Sequence, residues 1–497
     1  MKHCPAVFVI GIDGGSWNVI REHISYLPTI NRLMSNGISM SLRSTVPPVT
    51  CPAWKSFTTG LKPEELGVYW WAHVDFNQGK LRYFYSDSFK AKEIWDYLGL
   101  KGFKSLVVNV PLTFPPKPIN GVMISGIPAS NNDDYTWPAG VKKELEEAIG
   151  YKITSTHHVI LEPSKALSEL LELIRKRFEV LHYMLDKEQY DFVMMVVFNV
   201  DLIQHFYWDD KNAVREAYSI IDKELSKIID ACPQSNYIIV SDHGFQEIRD
   251  MFYINRYLLD KGLLKLKNQA LAKPLINAIQ YILLRPGITK SIITRIYSRL
   301  PRLLQIRAKN IMAFRDEHGL DKIVDIKNSY VIGLKQGPIF INKRKLEEDG
   351  IDYRDFKEKL VNDILSIIHP SHKRLVKEIY RIETNPRERD APDLILMAND
   401  GFEIEIDPLA SSYWDSQNKA NRFTAKWKAS HSMYGIFIAF GDDIQKIISN
   451  YNVNSAMKDE IPIWNVMSLI LELYGLQGIS RVRTKLRRVT DKIRKHA

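Results

Sequence analysis

The chain has 497 residues, 45% of them hydrophobic and 25% charged. These proportions exclude a disordered, collagen-like or fibrous chain, and the length fits roughly two to four domains or one large α/β domain with insertions. The formal net charge of +10 is unevenly placed. Residues 261–310 hold eleven Lys/Arg and no Asp or Glu, and residues 481–497 hold eight Lys/Arg against Asp491, leaving a net of −8 on the rest of the chain.

The three cysteines, Cys4, Cys51 and Cys232, are too few and too scattered for a disulfide framework or a thiolate zinc site. That usage points to a reducing, cytoplasmic setting. Met1-Lys2-His3-Cys4-Pro5 runs straight into a strand-like segment, without the apolar stretch and cleavage site of a signal peptide. No uncharged apolar run approaches the length of a membrane span, so no transmembrane helix is expected.

In chain order, apolar runs predict strands at 6–12, 105–110, 121–125, 191–198, 236–240, 338–341 and 435–440. Several are continuously apolar, as expected of strands covered on both faces. Leu/Ile spacing predicts helices at 163–187, 211–230 and 356–368, the first opening with Pro163-Ser164. The alternation predicts an α/β fold with a mostly parallel central sheet and helices on both faces. Residues 255–325 interrupt it, being basic, Leu/Ile-rich and broken by Pro274, Pro286 and Pro301. They are expected to form a helical cap inserted into a discontinuous core of 1–254 and 326–479. In the tail, 480–497, Val482, Leu486, Val489 and Ile493 line one face of a basic amphipathic helix. Such a helix can lie on an anionic membrane or pack against the body.

Polar residues recur where the apolar strands stop. The run VFVIGI ends at Asp13, VMMVVFN leads to Asp201 and His205, and YIIVS ends at Asp242-His243-Gly244. Ligands bind at the carboxyl ends of strands in open parallel sheets, so three separate segments deliver Asp and His to one edge. Asp201 and His205, at i and i+4, share a helix face and can bind one ion. Carboxylate with imidazole suits zinc, manganese or iron(II), and this number of donors exceeds the needs of one tetrahedral zinc. Two divalent metals in one cleft fit better, as in phosphoryl-transfer enzymes.

The segments GIDGGSW, PPVTCPAWKSFTTG, FNVDLIQHFYW, SDHG and HSMYGIFIAFG stand in the order found in the alkaline phosphatase superfamily. The chain most resembles the type I phosphodiesterase/nucleotide pyrophosphatase branch, from about residue 6 to 260 and again from about 330 to 475. The resemblance implies an alkaline-phosphatase-like fold and a hydrolase of phosphodiester or nucleotide pyrophosphate bonds. It implies Thr50 as the nucleophile, forming a phosphothreonine intermediate. It implies one metal site of Asp13, Thr50, Asp242 and His243, and a second of Asp201, His205 and His431. Zinc is the expected metal. The substrate is expected to be a small phosphate ester, either nucleotide or lipid-linked, and the basic segments suggest peripheral contact with the inner membrane face. No element reads as a specific nucleic-acid binder.

The departures from the family pattern bear on substrate. Where nucleotide pyrophosphatases commonly read Thr-Phe-Pro-Asn, this chain has Thr50-Cys51-Pro52-Ala53. Lys55 could supply the missing polar contact or be an ordinary solvated lysine. Trp70, Trp71 and His73 could stack on a base or sugar, or belong to a core. Cys51 stands directly before Pro52, so the Cys-x-Pro-x-Arg signature of sulfatases is absent and a small buried residue is expected. Alternatives within the superfamily are a phosphomonoesterase, a phosphonate hydrolase or a phosphoglycerate mutase. An alternative of another class is an inactive protein that binds membranes or a partner.

Overall fold

The computed structural model describes residues 4–159, 162–267, 319–382, 391–416, 427–450 and 460–476. Two compact units emerge, one from Met1–Val68, Phe84–Gln246 and Lys428–Ala497, the other from Tyr69–Tyr83 and Glu247–Trp427. The central part of the basic insertion, 268–318, and the tail from 477 onward lie outside the described residues.

The first unit is built on a nine-stranded sheet. Its order is Glu460–Pro462, Ile38–Arg43, Tyr434–Phe440, Asn236–Val240, Val7–Ile12, Phe192–Val197, Ser105–Val108, Gly121–Ile124 and Thr136–Trp137. Val7–Ile12 pairs in parallel with a strand on each side, and all six of its residues are buried. Tyr434–Phe440 runs antiparallel to both of its neighbours. Alternation sorts the side chains between two cores. Phe8, Ile10, Val193, Met195, Tyr237 and Ile239 face one cluster, while Val7, Val9, Met194, Val196, Ile238 and Val240 face the other.

Helices cover each face. Pro163–Lys187 begins with a proline in its first turn, where the missing N–H costs nothing. Lys211–Ala231 is capped by Asp210, whose carboxylate accepts from the amides of Asn212 and Ala213. Both helices pack their apolar faces into the first cluster. The helix Thr50–Thr59 packs into the second through Ala53, Trp54 and Phe57. This arrangement agrees with the mostly parallel α/β fold read from the sequence.

The second unit has its own short strands. One sheet orders Val331–Gly333, Pro338–Ile341, Leu394–Ala398 and Val376–Arg381, all antiparallel. Another orders Phe402–Glu405, Asp250–Tyr253 and Trp414–Ser416, and Ala72–Asp75 forms a hairpin with Lys80–Tyr83. The sequence reading assigned 326–479 to the core. In the structure residues up to Trp427 pack in this second unit, because their strands pair with one another and not with the nine-stranded sheet. The described ends of the insertion meet there: Lys267 N donates to Ile323 O at 2.8 Å, and Asp325 N donates to Lys265 O at 2.8 Å. No helix among the described residues is long and apolar enough to cross a membrane.

One cysteine expectation is corrected. Cys4 and Cys232 form a disulfide, with 5.6 Å between their Cα atoms. The parallel pairing of Val7 with Asn236 brings together the two cysteines, which are 228 apart in sequence. Cysteine content therefore no longer argues for a reducing compartment. Closing so long a loop constrains the unfolded chain, by up to about 5 kcal/mol in the chain-entropy account. The Cys4→Ser/Cys232→Ser protein should lose stability of that order in denaturant unfolding, and the wild type should lose the same amount on reduction. Coincident unfolding curves would refute this.

Candidate active site

Four chain segments converge at the carboxyl edge of the central sheet. Asp13 follows Val7–Ile12, Asp242 and His243 follow Asn236–Val240, and Asp201 and His205 sit on the helix Asn199–Tyr207 after Phe192–Val197. His431 comes from Ala429–Ser432, just before the strand Tyr434–Phe440. Together with Thr50 these are the seven residues singled out in the sequence. All lie in the first unit, and the structure brings all seven together.

Asp201 links the two histidines on one side. Its Oδ2 lies 3.3 Å from His205 Nε2, and its Oδ1 lies 3.2 Å from His431 Nε2. On the other side His243 Nε2 lies 3.1 Å from Asp242 Oδ2 and 3.9 Å from Asp13 Oδ1. Candidate donor atoms of Asp13, Asp242 and His243 lie within 4.8 Å of one another, as do those of Asp201, His243 and His431. His243 is thus common to both groups, where the sequence reading gave it to one.

The imidazoles are oriented by backbone carbonyls. His205 Nδ1 donates to Ala429 O at 2.8 Å, His431 Nδ1 to Pro48 O at 2.8 Å, and His243 Nδ1 to Gly244 O at 3.2 Å. Each bond fixes the ring and turns Nε2 toward the carboxylates, as in metal-binding histidines. The Nε2 atoms of His205 and His431 then face each other at 3.1 Å. Imidazole nitrogens facing each other among buried carboxylates form a donor set that a divalent cation fits.

The carboxylates show the same demand. Asp13 is wholly buried, and burial, then the charges of Asp242 and Asp201, hold its carboxyl well above the ordinary range. Burial acts most strongly on Asp242, but the charge and hydrogen bond of His243, the Gly14 amide and the charge of His431 together outweigh it and bring that carboxyl below the usual value. Gly14 N donates to Asp242 Oδ1 at 3.0 Å. Gly14 has φ +67°, and a Cβ there would lie 2.4 Å from the Phe245 ring, so both backbone and space call for glycine.

Thr50 is the first residue of its helix, and its hydroxyl lies 3.2 Å from His243 Nε2 and 3.5 Å from Asp13 Oδ1. One helical turn on, Trp54 Nε1 donates to Asp13 Oδ2 at 2.8 Å. Sequence reasoning missed Trp54. The available signal was its i+4 spacing from Thr50, which places both on one helix face. Gly11 makes room for it, since a Cβ there would meet Trp54 Cη2 at 2.4 Å. The relay from Ser16 N to Tyr218 Oη and on to Gln204, whose Nε2 donates to Gly14 O, was also missed. It ties the loop after Asp13 to the helix carrying Asp201.

The remaining candidates fall elsewhere. Lys55 is buried at 1% exposure, and neither reading from the sequence describes it. Its Nζ donates to Glu93 Oε1 at 2.8 Å and to Leu112 O at 3.2 Å, and it lies 4.9 Å from the Phe89 ring centre. Cys51 is a buried free cysteine, as expected. Trp70, Trp71 and His73 belong to the second unit, where Trp70 is buried and the other two are half-buried.

A family model described as "Type I phosphodiesterase / nucleotide pyrophosphatase" matches residues 7–418. No curated protein matches the chain. Among solved structures, phosphonoacetate hydrolase from Sinorhizobium meliloti, in complex with phosphonoacetate, is similar at a TM-score of 0.54 and 12% identity, over 96% of each chain. Human ectonucleotide pyrophosphatase/phosphodiesterase 5 is similar at 0.51 and 14%, over 96% of each chain. Its mouse counterpart, an inactive threonine-to-alanine variant in complex with AMP, is similar at 0.51 and 15%, again over 96% of each chain.

The Lys55–Glu93 pair yields a test of how the helix Thr50–Thr59 is held. Removing one partner of a buried ion pair costs about 3–5 kcal/mol, because the other charge stays buried. Lys55→Met should destabilise the protein by that order, and Lys55→Met/Glu93→Leu should recover most of the loss in denaturant unfolding. A single variant as stable as the wild type would remove the structural role given to Lys55.

Proposed function

The chain belongs to the type I phosphodiesterase/nucleotide pyrophosphatase family, and from that premise we propose that it cleaves phosphodiester or nucleotide pyrophosphate bonds using Thr50 and two divalent metal ions. It is a phosphoric ester hydrolase. The observation that carries the finer reading is the position of the Thr50 hydroxyl, at a helix start and within 3.5 Å of both His243 Nε2 and Asp13 Oδ1.

Asp13, Asp242 and His243, with Thr50, would hold one ion, and Asp201, His205 and His431 the other. Zinc suits this donor set best, and manganese or iron(II) accepts the same groups. When bound, the ions lower the pKa of the hydroxyl and neutralise charge on the phosphoryl oxygens. Thr50 Oγ1 attacks phosphorus in line. The Oγ1–P bond forms as the bond to the leaving oxygen breaks, giving a phosphothreonine. At this helix start the Cys51 amide favours the anionic phosphoryl group, since Pro52 has no N–H and the Ala53 amide donates to Val49 O. Water then attacks phosphorus, Oγ1 departs, and the enzyme returns with phosphate or a monoester released. The AMP complex of the mouse protein supports a nucleotide-type substrate for this chain.

Elemental analysis should find two metal ions per chain, and chelation should abolish hydrolysis of bis(p-nitrophenyl) phosphate until zinc is restored. A single ion would refute the two-metal reading. Thr50→Ala should lower turnover by at least about 10³-fold while the metal content stays at two. Thr50→Ser should retain part of the activity. Near-normal turnover in Thr50→Ala would point to direct attack by water.

A further inference from the structure

Beside the metal donors lies a cavity of about 50 Å³ that the reading above does not use. It is lined by Asn109, Ile127, Ser155, Arg177, Asn199 and Leu202, among others, all in the first unit. Asn109 follows the strand Ser105–Val108, and Asn199 follows Phe192–Val197, so the cavity sits at the same carboxyl edge as Asp13. Two strand spacings, about 10 Å, separate the strand of Asn109 from that of Asp13. Asn199 is two residues before Asp201 on the same helix.

The wall carries an unbalanced cation. Arg177 is 3% exposed. Its Nη1 donates to Lys152 O at 2.8 Å, its Nη2 donates to Ile153 O, and its guanidinium lies 5.0 Å from the ring centre of Tyr151. Its Nε is buried with no hydrogen-bond partner. No carboxylate among the described residues pairs with it, and the groups that act on its charge are tyrosines, Tyr151 and Tyr135. Glu169, on the same helix as Arg177, is taken up by Ser155, Thr156 and His157 of the adjoining loop, and lies 3.7 Å from Lys152. A buried charge without a counter-charge is costly, and Arg is the side chain best matched to an oxyanion.

Two further observations point the same way. Phe198, Asn199 and Leu202 on the wall belong to the N-cap and start of the helix Asn199–Tyr207, whose first-turn amides, apart from that of Asp201, which donates to Phe198 O at 3.1 Å, lie ahead of the intrahelical ladder and favour an anion. Asn199 is itself 3% exposed, and its Oδ1 is buried with no partner. A flip of this amide presents its NH₂ in place of the oxygen. At 10–15 Å³ for a water-sized probe, the cavity has room for about four oxygens, the number in one tetrahedral oxyanion. Asn109 is already engaged, accepting from Tyr151 Oη and donating to Ser125 O.

We propose that this cavity is a second anion site, taking one phosphate-type oxyanion on the Arg177 guanidinium, the Asn199 amide and the start of the helix Asn199–Tyr207. The anion has two sources, free inorganic phosphate or a second phosphate of the substrate. The site stands on its own residues, and only its assignment to substrate rests on the hydrolase reading.

Calorimetric titration of the metal-loaded, full-length protein with inorganic phosphate tests it. The wild type should bind one phosphate more than Arg177→Met. Because Arg177 also ties down two carbonyls, Asn199→Asp provides a second variant. It supplies the missing carboxylate, and should lose the same phosphate while unfolding no earlier than the wild type. Equal phosphate binding in the wild type and both variants overturns the proposal and leaves the cavity to water. If the metal centre bound no phosphate, the wild type would retain one and the variants none, which separates failure of the metal reading from failure of this one. The kinetic arm compares ATP with bis(p-nitrophenyl) phosphate, which has a single phosphate. A loss in kcat/KM of about tenfold in Arg177→Met with ATP alone identifies the substrate as the source, since charge-assisted bonds are the strong ones. Equal kcat/KM with both substrates identifies free phosphate.

Discussion

Three buried carboxylates, Asp13, Asp201 and Asp242, are gathered at one sheet edge, and much of the first unit exists to hold them there. Like charges removed from water repel and are poorly solvated, so the arrangement is stable only with compensating positive charge. The upward push on Asp13 is that cost made visible. The sheet order supplies the geometry, because Val7–Ile12 lies between the strands that lead to Asp242 and to Asp201. Parallel pairing sends all three chain segments out at the same edge. The three imidazoles are then turned inward by carbonyls drawn from separate segments, Pro48, Gly244 and Ala429.

The helix Thr50–Thr59 is tied to this cluster as a rigid piece. All ten residues of Thr50–Thr59 are buried, which is unusual for a helix containing lysine. Trp54 fastens the helix to Asp13, and Lys55 fastens it to Glu93 and Leu112. A hydroxyl held between His243 and Asp13 by such packing is placed to within small tolerances, as the proposed attack on phosphorus would require. The same packing explains why Lys55 is closed off from substrate, with its ammonium spent on the interior.

The parts legible in the sequence are those where local pattern and burial agree. VFVIGI and FVMMVV are apolar at every position because helices cover both sides of the sheet, and their ends marked Asp13 and Asp201 without further information. Ile38–Arg43 was missed because ISMSLR alternates with serine, and its burial is correspondingly partial. The Cys4–Cys232 disulfide was missed because it depends on strand neighbours, which spacing along the chain does not reveal. Lys55 was misjudged for the same reason, since its partner Glu93 is 38 residues away. The second unit was folded into the core because its short strands carry the same apolar signal as core strands. Only pairing distinguishes them.

The alanine at position 53 has a consequence for how a phosphoryl group is held. A polar side chain there would stand one turn from Thr50, but Ala53 is fully buried and packs with Trp54 and Phe57 in the second apolar cluster. Its own amide is engaged, donating to Val49 O at 3.0 Å. Pro52 has no N–H to give. Of the first turn after Thr50, this leaves the amide of Cys51, at the helix end where the dipole favours an anion. Cys51 is therefore better understood through its backbone than its thiol, which burial pushes well above its ordinary pKa. For the phosphoryl transfer proposed at Thr50, one backbone donor and no side-chain donor from this turn would leave charge neutralisation to cations held by the carboxylates and imidazoles around Asp13 and Asp201.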